Sequence, residues 1–316
     1  MVVAEKQTQL AHQNSPIFSR HETFPPRNGW LKKAFDAIAD DPNVFTRDDA
    51  ALILGVGKNM AKAIRYWAIA FKIAEEKLDK SVKSKTMIAT EFGNRLLSDN
   101  GWDPYLEDTA SLWLLHWSLL KKPCLASSWA FAFNHFRHPE FTQEDFLNEV
   151  SAYAKQTWPD SDFSDATLKN DVSCFVRMYC KDESARHVSE ETISSPFSEL
   201  NLLTKSGGSR HISFHFGGKT TLPDAIVAAA SLDYASEIST GQSTINISQL
   251  AYSQGSPGQI FKITESILCT ALEHVSSHRK DIVISDTGGI VQLAFTRDPL
   301  RISEDVLKQF YAPKGR

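Results

Sequence analysis

The chain has 316 residues, of which 42% are hydrophobic and 23% are charged, and its formal net charge is −4. This charge excludes a general positive field, so a nucleic-acid partner would need a local basic patch. The four cysteines lack metal-ligand or disulfide-framework spacing, and the first fifteen residues lack the apolar segment of a signal peptide. The most apolar region, residues 110–133, is interrupted too early to span a bilayer. We therefore predict a cytoplasmic protein with no membrane contact.

Residues 1–15 are polar and contain no aromatic side chain, which predicts a disordered tail. Ordered structure is expected from residue 16 onward, where Pro25-Pro26 and the turn signal Asn28-Gly29 come before an apolar pattern. That pattern has helical spacing and predicts a first helix, with the apolar residues Leu31, Ala34, Phe35 and Ile38.

Residues 46–73 predict a helix, a tight turn and a second helix. Gly55 and Gly57 mark the turn, because glycine tolerates the positive φ that a sharp turn needs. The second helix carries basic residues at spacings of four, three and seven, which places them on one face: Lys58, Lys62, Arg65 and Lys72. A basic outer face and an apolar inner face are typical of a helix-turn-helix that enters a DNA groove. The alternative is a plain amphipathic helix with a solvated charged face.

The segment that follows completes an N-terminal winged-helix domain over residues 16–100. Residues 77–85 are rich in lysine around a β-branched valine, which predicts a hairpin wing with Lys83 and Lys85 near DNA phosphates. A short helix after Thr90 would close the domain. A solvated hairpin without a DNA contact explains the same residues equally well.

Residues 101–190 predict a helical middle domain. Three helices are expected there after the capping positions Asp108 or Thr109, Thr142, and Ser164 or Asp165. We interpret His116, which lies on an aromatic face, as a core histidine rather than a ligand. Asp160, Asp162 and Asp165 could offer oxygen ligands to Mg²⁺, but helix capping is the favoured interpretation of this loop.

Residues 181–198 are polar and predict a linker to a C-terminal winged-helix-like domain, residues 191–316. Ala251 and Gly255 frame a turn with the same spacing as the first helix-turn-helix, and Gly288-Gly289 predicts a hairpin in the wing position. The predicted fold is therefore mainly α with small β wings, in which tandem winged helix-turn-helix-like domains flank a helical middle. Such an architecture binds DNA or docks proteins.

The second turn also predicts a second DNA-facing helix. Ser256 would cap this helix, and Gln259 and Lys262 would face outward if the neighbouring isoleucines face the core.

A polar group near the N-terminus has two interpretations that stay open. Arg20, His21, Glu22 and Arg27 lie close together beside apolar residues. A histidine, a carboxylate and two arginines could bind a phosphodiester and transfer a proton, which would make His21 and Glu22 the catalytic pair. The same residues could instead tie the N-terminal arm to the domain through salt bridges.

Several long motifs carry a resemblance to a known family. In chain order they are FSRHETFPPRNGWLKKAFDAI, GVGKNMAKAIRYW, NGWDPYLEDTASLWLLHW, FAFNHF, LKNDVSCFVRMY, GSPGQIFKI and SDTGGI. With these motifs the chain resembles a bacterial family of DNA phosphorothioation-associated proteins, long described as a domain of unknown function. The resemblance covers about 290 residues.

The resemblance implies a DNA-binding component of a phosphorothioation and antiphage defence system, which nicks DNA so that sulfur can enter the backbone. It implies as partners DNA, a cysteine desulfurase, a sulfurtransferase-like ATP pyrophosphatase and an ATPase, and it leaves a homodimer open. A nuclease would use Mg²⁺ or Mn²⁺. A non-enzymatic adaptor and a transcription regulator are the alternatives, and no metal-ligating residue is assigned.

By position, the DNA-facing helix would run from Lys58 to Arg65, with a partner from Ser256 to Lys262. The complete set of candidate DNA-contacting residues is Arg20, Arg27, Lys58, Asn59, Lys62, Arg65, Lys83, Lys85, Ser256, Gln259 and Lys262.

Overall fold

The computed structural model describes residues 15–79, 84–180, 195–205, 210–239 and 241–312. Within these ranges the chain is mainly α-helical and has three small antiparallel sheets, which confirms the predicted mainly α class. Lys83, most of the predicted tail and most of the predicted linker lie outside the described residues. The division into three domains stays a prediction.

The N-terminal part contains the predicted helix, turn, helix and hairpin. Its elements are α1 (Trp30–Asp40), α2 (Ala50–Ile53), α3 (Lys58–Ala70), the antiparallel strands β1 (Ala74–Asp79) and β2 (Ser84–Ala89), and α4 (Glu91–Leu97). Gly55 lies between α2 and α3 with a φ of 62°, a conformation that favours glycine. The side chain of Thr90 caps α4 by accepting a hydrogen bond from Gly93 N.

Lys72 does not belong to the outer face of α3, to which the sequence pattern assigned it. The helix ends at Ala70, and Lys72 takes a left-handed φ of 59°. Its amine therefore turns inward and donates to the backbone carbonyls of Ser118 and Lys121. Burial lowers the pKa of Lys72 to about 8.

The middle part contains α5 (Thr109–Leu120), α6 (Ser127–Asn134), α7 (Gln143–Thr157) and α8 (Asp165–Tyr179). Three predicted caps are confirmed: Asp108 caps α5, Thr142 caps α7 and Ser164 caps α8. The prediction that this part is entirely helical is wrong, because Glu140–Phe141 forms a short strand, β3. This strand pairs with residues far along the chain, so no local pattern indicates it.

The C-terminal part contributes the remaining helices and strands. These are β4 (Leu203–Lys205), β5 (Ile212–Phe214), α9 (Asp224–Ile238), β6 (Thr244–Asn246), α10 (Ile247–Tyr252), α11 (Pro257–Phe261), α12 (Glu265–Ser277), β7 (Ile282–Thr287), β8 (Ile290–Phe295) and α13 (Pro299–Phe310). The strand order is β3-β5-β4 in one sheet and β6-β8-β7 in the other. The predicted hairpin around Gly288-Gly289 is confirmed, with Ile284 opposite Leu293.

The buried apolar side chains form one connected core that extends from Trp30 to Leu307. Every residue of α5 after Thr109 is buried, which places this helix at the centre of the core. His116 of α5 is a core residue, as predicted: its ring nitrogens lie 2.9 Å from Tyr179 Oη and 3.0 Å from the carbonyl oxygen of Ile260. Burial lowers the pKa of His116 to about 4. Among the described residues, the helices are too short or too polar to cross a membrane.

Candidate nucleic-acid interface

The α3 helix presents polar and basic side chains to solvent. Lys58, Asn59 and Lys62 are exposed and Arg65 is half-buried, whereas the opposite side of the helix is buried in the core. The buried side includes Ala61, Ile64, Trp67 and Ala68. This division follows from the helical repeat of 3.6 residues, so the amphipathic character predicted for residues 58–68 is confirmed.

Two carboxylates lie among these cations. Glu22 Oε1 is 3.5 Å from the Lys62 amine, and Glu76 forms ion pairs with Arg65 and, at 3.3 Å, with Lys85. Glu76 therefore connects α3 to the β1–β2 hairpin. Lys58 has no ion pair with any described residue. This surface therefore holds four cations and two carboxylates. The excess of two positive charges comes from Lys58, Lys62, Arg65 and Lys85 against Glu22 and Glu76.

The N-terminal arm, residues 16–29, is fixed to the core by a buried hydrogen-bond network around Asp171 of α8. Asp171 Oδ1 accepts from Ser19 N at 2.6 Å and from His21 Nε2 at 2.8 Å, and Asp171 Oδ2 accepts from Ser128 Oγ at 2.6 Å. His21 Nδ1 accepts from Thr23 N at 3.1 Å. An accepting Nδ1 carries no proton, so the network assigns His21 the neutral form with its proton on Nε2.

The position of His21 argues against proton transfer to a DNA phosphate. The ring is fully buried and stacks on Trp67 with 6.0 Å between the ring centroids. These contacts favour the anchoring interpretation of the polar group. Glu22 differs from its neighbour, because its side chain reaches the surface beside Lys62.

The arm has strained backbone next to this network. Ser19, Glu22 and Thr23 have φ values of 56°, 48° and 68°, a region that costs side-chain-bearing residues energy. The His21–Asp171 network over-determines this conformation and thereby holds Glu22 at the surface. Arg20 is exposed, whereas the Arg27 guanidinium lies 5.5 Å from the centre of the Phe24 ring.

The C-terminal candidates lie in a different environment, and the prediction that Lys262 faces outward is wrong. The α11 helix ends at Phe261, and Lys262 adopts a left-handed φ of 54° that breaks the assumed continuous helix. Its side chain is 1% exposed and its amine donates to the carbonyl oxygen of Phe133 at 3.1 Å. The amine also lies 4.8 Å from the centre of the Phe214 ring. Burial lowers the pKa of Lys262 to about 7.

Ser256 and Gln259 do not form a basic surface either. Ser256 is at the N-cap of α11, but it is fully buried and makes no side-chain capping hydrogen bond. Close packing explains this burial, because a Cβ atom on Gly258 would lie 2.3 Å from the carbonyl oxygen of Ala251. Gln259 is half-buried and accepts a hydrogen bond from Arg137 at 2.6 Å.

The α12 helix follows this break and has an exposed face without lysine or arginine. Its exposed side chains include Ser266, Thr270, Glu273 and His274. The exposed cations of α3 thus have no counterpart on α12, although the two helices follow similar turns.

Among the residues that the structure describes, no three histidine, cysteine, aspartate or glutamate side chains are grouped so that they could hold a metal ion. The loop with Asp160, Asp162 and Asp165 serves α8 instead, where Ser164 accepts a hydrogen bond from Thr167 N. The capping interpretation of this loop is therefore confirmed.

Two residues that organise the candidate site were not predicted from the sequence, Asp171 and Glu76. Asp171 had a detectable signal, because it lies at helical spacing between Leu168 and Phe175 on a buried apolar face, where an unpaired carboxylate is costly. No sequence signal indicates the role of Glu76, because its position between Arg65 and Lys85 depends on how the hairpin packs on α3.

Comparison with known proteins identifies the class of protein to which this fold belongs. Residues 18–311 match the family model described as "Protein of unknown function (DUF4007)", and the chain belongs to this family. The fold is similar to a solved structure described as the SspB crystal structure, with a TM-score of 0.88 and 37% sequence identity. That similarity covers 93% of this chain and 88% of the other.

A second solved structure, described as magnesium ion-bound SspB, has a TM-score of 0.87 and 36% identity over the same shares of the two chains. No curated protein matches the chain significantly. The family resemblance that the sequence motifs indicated is confirmed.

Proposed function

We propose that this protein is a DNA-binding component of a bacterial DNA phosphorothioation system. The observation that carries the proposal is the exposed stripe of Lys58, Asn59 and Lys62 on α3, in a chain that is 37% identical to SspB. A stripe of this kind supplies the local basic patch that a protein with a net charge of −4 needs to bind a polyanion.

The order of elements in the N-terminal part supports a winged helix-turn-helix. Three helices precede a two-stranded hairpin, and α3 follows the glycine turn as a recognition helix does. In such a module the first residues of α3, Lys58 and Asn59, approach base edges in the major groove. Lys62, Arg65 and Lys85 then contact phosphates, which fixes the register without reading sequence.

We further propose that the bound DNA is nicked. Hydrolysis of a phosphodiester needs an activated water, and Glu22 is a carboxylate at the edge of the proposed DNA surface. One similar structure is described as magnesium ion-bound. The described residues contain no grouped ligand set for a metal, so we derive no step through Mg²⁺ or Mn²⁺.

An adaptor that brings sulfur-transfer enzymes to DNA is the second candidate. The specific observation in its favour is the exposed face of α12, whose uncharged and acidic side chains suit a protein contact better than a phosphate contact. Both candidate functions use the DNA surface on α3. They differ in whether this protein itself cleaves the DNA.

The decisive experiment for DNA binding is a salt titration of affinity for a labelled duplex. Replacement of Lys58 and Lys62 by alanine should lower the affinity and reduce the log–log salt slope by about one unit, roughly the contribution of the phosphate contact assigned to Lys62. The matched control replaces Lys280 and Arg301, two exposed cations of the C-terminal part, and should keep the wild-type slope. Equal slopes in all three folded proteins would contradict the assignment.

Nicking is then tested separately on supercoiled plasmid with Mg²⁺, with Mn²⁺ and with neither. Relaxed circles formed by the wild-type protein, and lost with the Lys58 and Lys62 substitutions, would support the nicking protein. Salt-dependent binding without any relaxed product would favour the adaptor.

A further inference from the structure

A carboxylate lies beneath two cations where α3 meets the β1–β2 hairpin. Glu76 Oε1 pairs with the Arg65 guanidinium, and Glu76 Oε2 lies 3.3 Å from the Lys85 amine. The side chain of Glu76 is 23% exposed, whereas those of Arg65 and Lys85 are 39% and 66% exposed. The carboxylate is therefore the most covered of the three groups. It supports the two cations from the protein side and leaves them open to solvent.

The register of the hairpin explains how one carboxylate reaches both cations. Glu76 is opposite Met87 in the antiparallel pair, and Met87 is buried, so this face of the hairpin turns toward the core. Lys85 is two residues from Met87 and therefore lies on the same face, diagonal to Glu76. Glu75 lies on the opposite face, where its carboxylate is 3.4 Å from the Lys77 amine.

This arrangement suits a single phosphate. Two cations around one carboxylate leave one positive charge, which the charge of one phosphodiester would balance. The arginine fork has five N–H donors, so the donors of Arg65 that do not meet Glu76 stay free for phosphate oxygens. Long cationic side chains lose conformational entropy when a ligand immobilises them. A carboxylate that already holds both side chains removes part of that loss before the phosphate arrives.

The negative charge of Glu76 also repels phosphate, so the two effects have opposite signs. Water and salt weaken the repulsion, because the screening length is only about 8 Å at physiological ionic strength and the cations stand between the two anions. Salt does not restore the order of two side chains that have lost their common partner. Positioning should therefore outweigh repulsion at physiological salt.

We infer that Glu76 is a positioning residue that holds Arg65 and Lys85 together as a phosphate clamp. The inference rests on the proposed DNA-binding function. It assigns this part of the surface one ligand group, a single backbone phosphate contacted from α3 and from the hairpin at once. In this clamp a carboxylate increases the affinity for an anion, which is the reverse of what its charge alone predicts.

The test compares two neighbouring carboxylates of β1 in a duplex-binding assay on the full chain. Glu76→Gln keeps the size of the side chain, but its one carbonyl oxygen cannot hold both cations as the carboxylate does. Glu75→Gln is the matched control, because it removes the same charge from the other face of the same strand. We expect Glu76→Gln to lower the affinity by about threefold to tenfold at physiological salt. Glu75→Gln should bind at least as tightly as the wild-type chain.

A double-mutant cycle separates positioning from a general loss of stability. Arg65→Gln should weaken binding more in the wild-type background than in the Glu76→Gln background, because the clamp is already loosened there. The log–log salt slope of Glu76→Gln should fall by up to about one unit, the contribution of one phosphate contact. A merely structural role of Glu76 would lower the melting temperature and leave the slope of the folded protein unchanged.

Three results would overturn the inference. These are tighter binding by Glu76→Gln than by the wild-type chain, equal affinities of Glu76→Gln and Glu75→Gln, and additive effects in the cycle. Each of them leaves the proposed function intact if the Lys58 and Lys62 substitutions still weaken binding. Wild-type affinity in the Lys58 and Lys62 variant as well as in Glu76→Gln would instead overturn both the clamp and the proposed DNA surface.

Discussion

Adjacent residues in the N-terminal arm have opposite environments, and this contrast separates a structural from a chemical role. His21 is buried against Asp171 in its neutral form, so it contributes through hydrogen bonding and ring packing. Glu22 reaches the surface beside Lys62, where a carboxylate can pair with the lysine or act on a bound phosphodiester. Substitution to glutamine removes the ionisable group at either position and keeps hydrogen-bonding capacity.

We expect His21→Gln and Glu22→Gln to behave differently. His21→Gln should lower the free energy of unfolding by about 1–3 kcal/mol, since the glutamine amide cannot match the geometry of both imidazole hydrogen bonds and loses the ring stacking on Trp67. The nicking proposed above, measured per folded molecule, should keep the wild-type rate. Glu22→Gln should change stability by less than about 0.5 kcal/mol, because the Lys62 pair is exposed. Its nicking rate should fall by about a hundredfold if the carboxylate activates water.

Urea denaturation and plasmid relaxation, measured on the same preparations, check both expectations. A hundredfold loss of nicking in a His21→Gln protein of wild-type stability would instead assign His21 a role in the reaction. Full nicking by Glu22→Gln would leave Glu22 as a counter-ion of Lys62.

At the scale of the element, the break between α11 and α12 places the side chain of Lys262 in the core instead of on the surface. Because the pKa of Lys262 is lowered to about 7 and that of an unfolded lysine is near 10.5, the unfolded chain binds more protons between these pH values. Stability at this site therefore rises as the pH increases from about 7 to about 10.5. Lys262→Met removes the titrating amine, so its stability relative to wild type should be highest near pH 7 and decline toward pH 10.

Lys262→Glu supplies the contrasting variant. A carboxylate among the rings of Phe133, Phe214 and Phe216 would be buried and would face the Phe133 carbonyl oxygen, which accepts from the amine but repels a carboxylate, and this should cost at least about 3 kcal/mol. Chemical denaturation at a series of pH values measures both effects. A Lys262→Glu protein as stable as wild type would mean that the side chain reaches solvent.

The elements that the sequence predicted correctly depend on local chemistry. The caps at Asp108, Thr142 and Ser164 and the hairpin at Gly288-Gly289 are encoded within a few residues. The amphipathic pattern of α3 is similarly local, and it correctly placed Lys58, Asn59 and Lys62 on the surface.

The incorrect predictions concern positions that distant packing decides. Helical spacing alone placed Lys262 outward, but a left-handed residue ended the helix and turned the side chain into an aromatic cluster from α6 and β5. The strand β3 exists only because β5 pairs with it. The anchoring role of His21 depends on Asp171, which is 150 residues away in the chain. The sequence alone therefore could not decide between a catalytic and an anchoring His21.

At the scale of the whole molecule, the N-terminal part is closely attached to the middle and C-terminal parts. Phe71 stacks on Phe197 with 4.9 Å between the ring centroids, and Ser118 Oγ donates to the carbonyl oxygen of Phe71 at 2.9 Å. Tyr66 Oη donates to the carbonyl oxygen of Leu125 at 3.0 Å. The inner side of α3 thus packs on other parts of the chain while its outer side presents the basic stripe.

This attachment predicts that the segment 16–100 does not fold stably when it is expressed alone. Removal of the rest of the chain would expose the covered sides of Tyr66, Trp67 and Phe71. Aromatic side chains bury about 150–250 Å² each, and at about 25 cal/mol per Å² the lost burial amounts to several kcal/mol. That loss is comparable to the whole stability of a small domain, about 5–15 kcal/mol. The excised segment should therefore show non-cooperative thermal unfolding, whereas the full chain should unfold in one transition.

The measurement is circular dichroism of segment 16–100 and of the full chain during heating, with duplex affinity measured on both. A control segment with Phe71→Ser and Tyr66→Ser removes two apolar side chains that face the missing parts. If solvent exposure of these residues is what destabilises the segment, the control should aggregate less without gaining cooperative unfolding, because the missing contacts remain missing. A wild-type segment that melts cooperatively and binds DNA as tightly as the full chain would instead make residues 16–100 an independent domain. The N-terminal arm would then no longer need Asp171 to hold Glu22 beside the basic stripe.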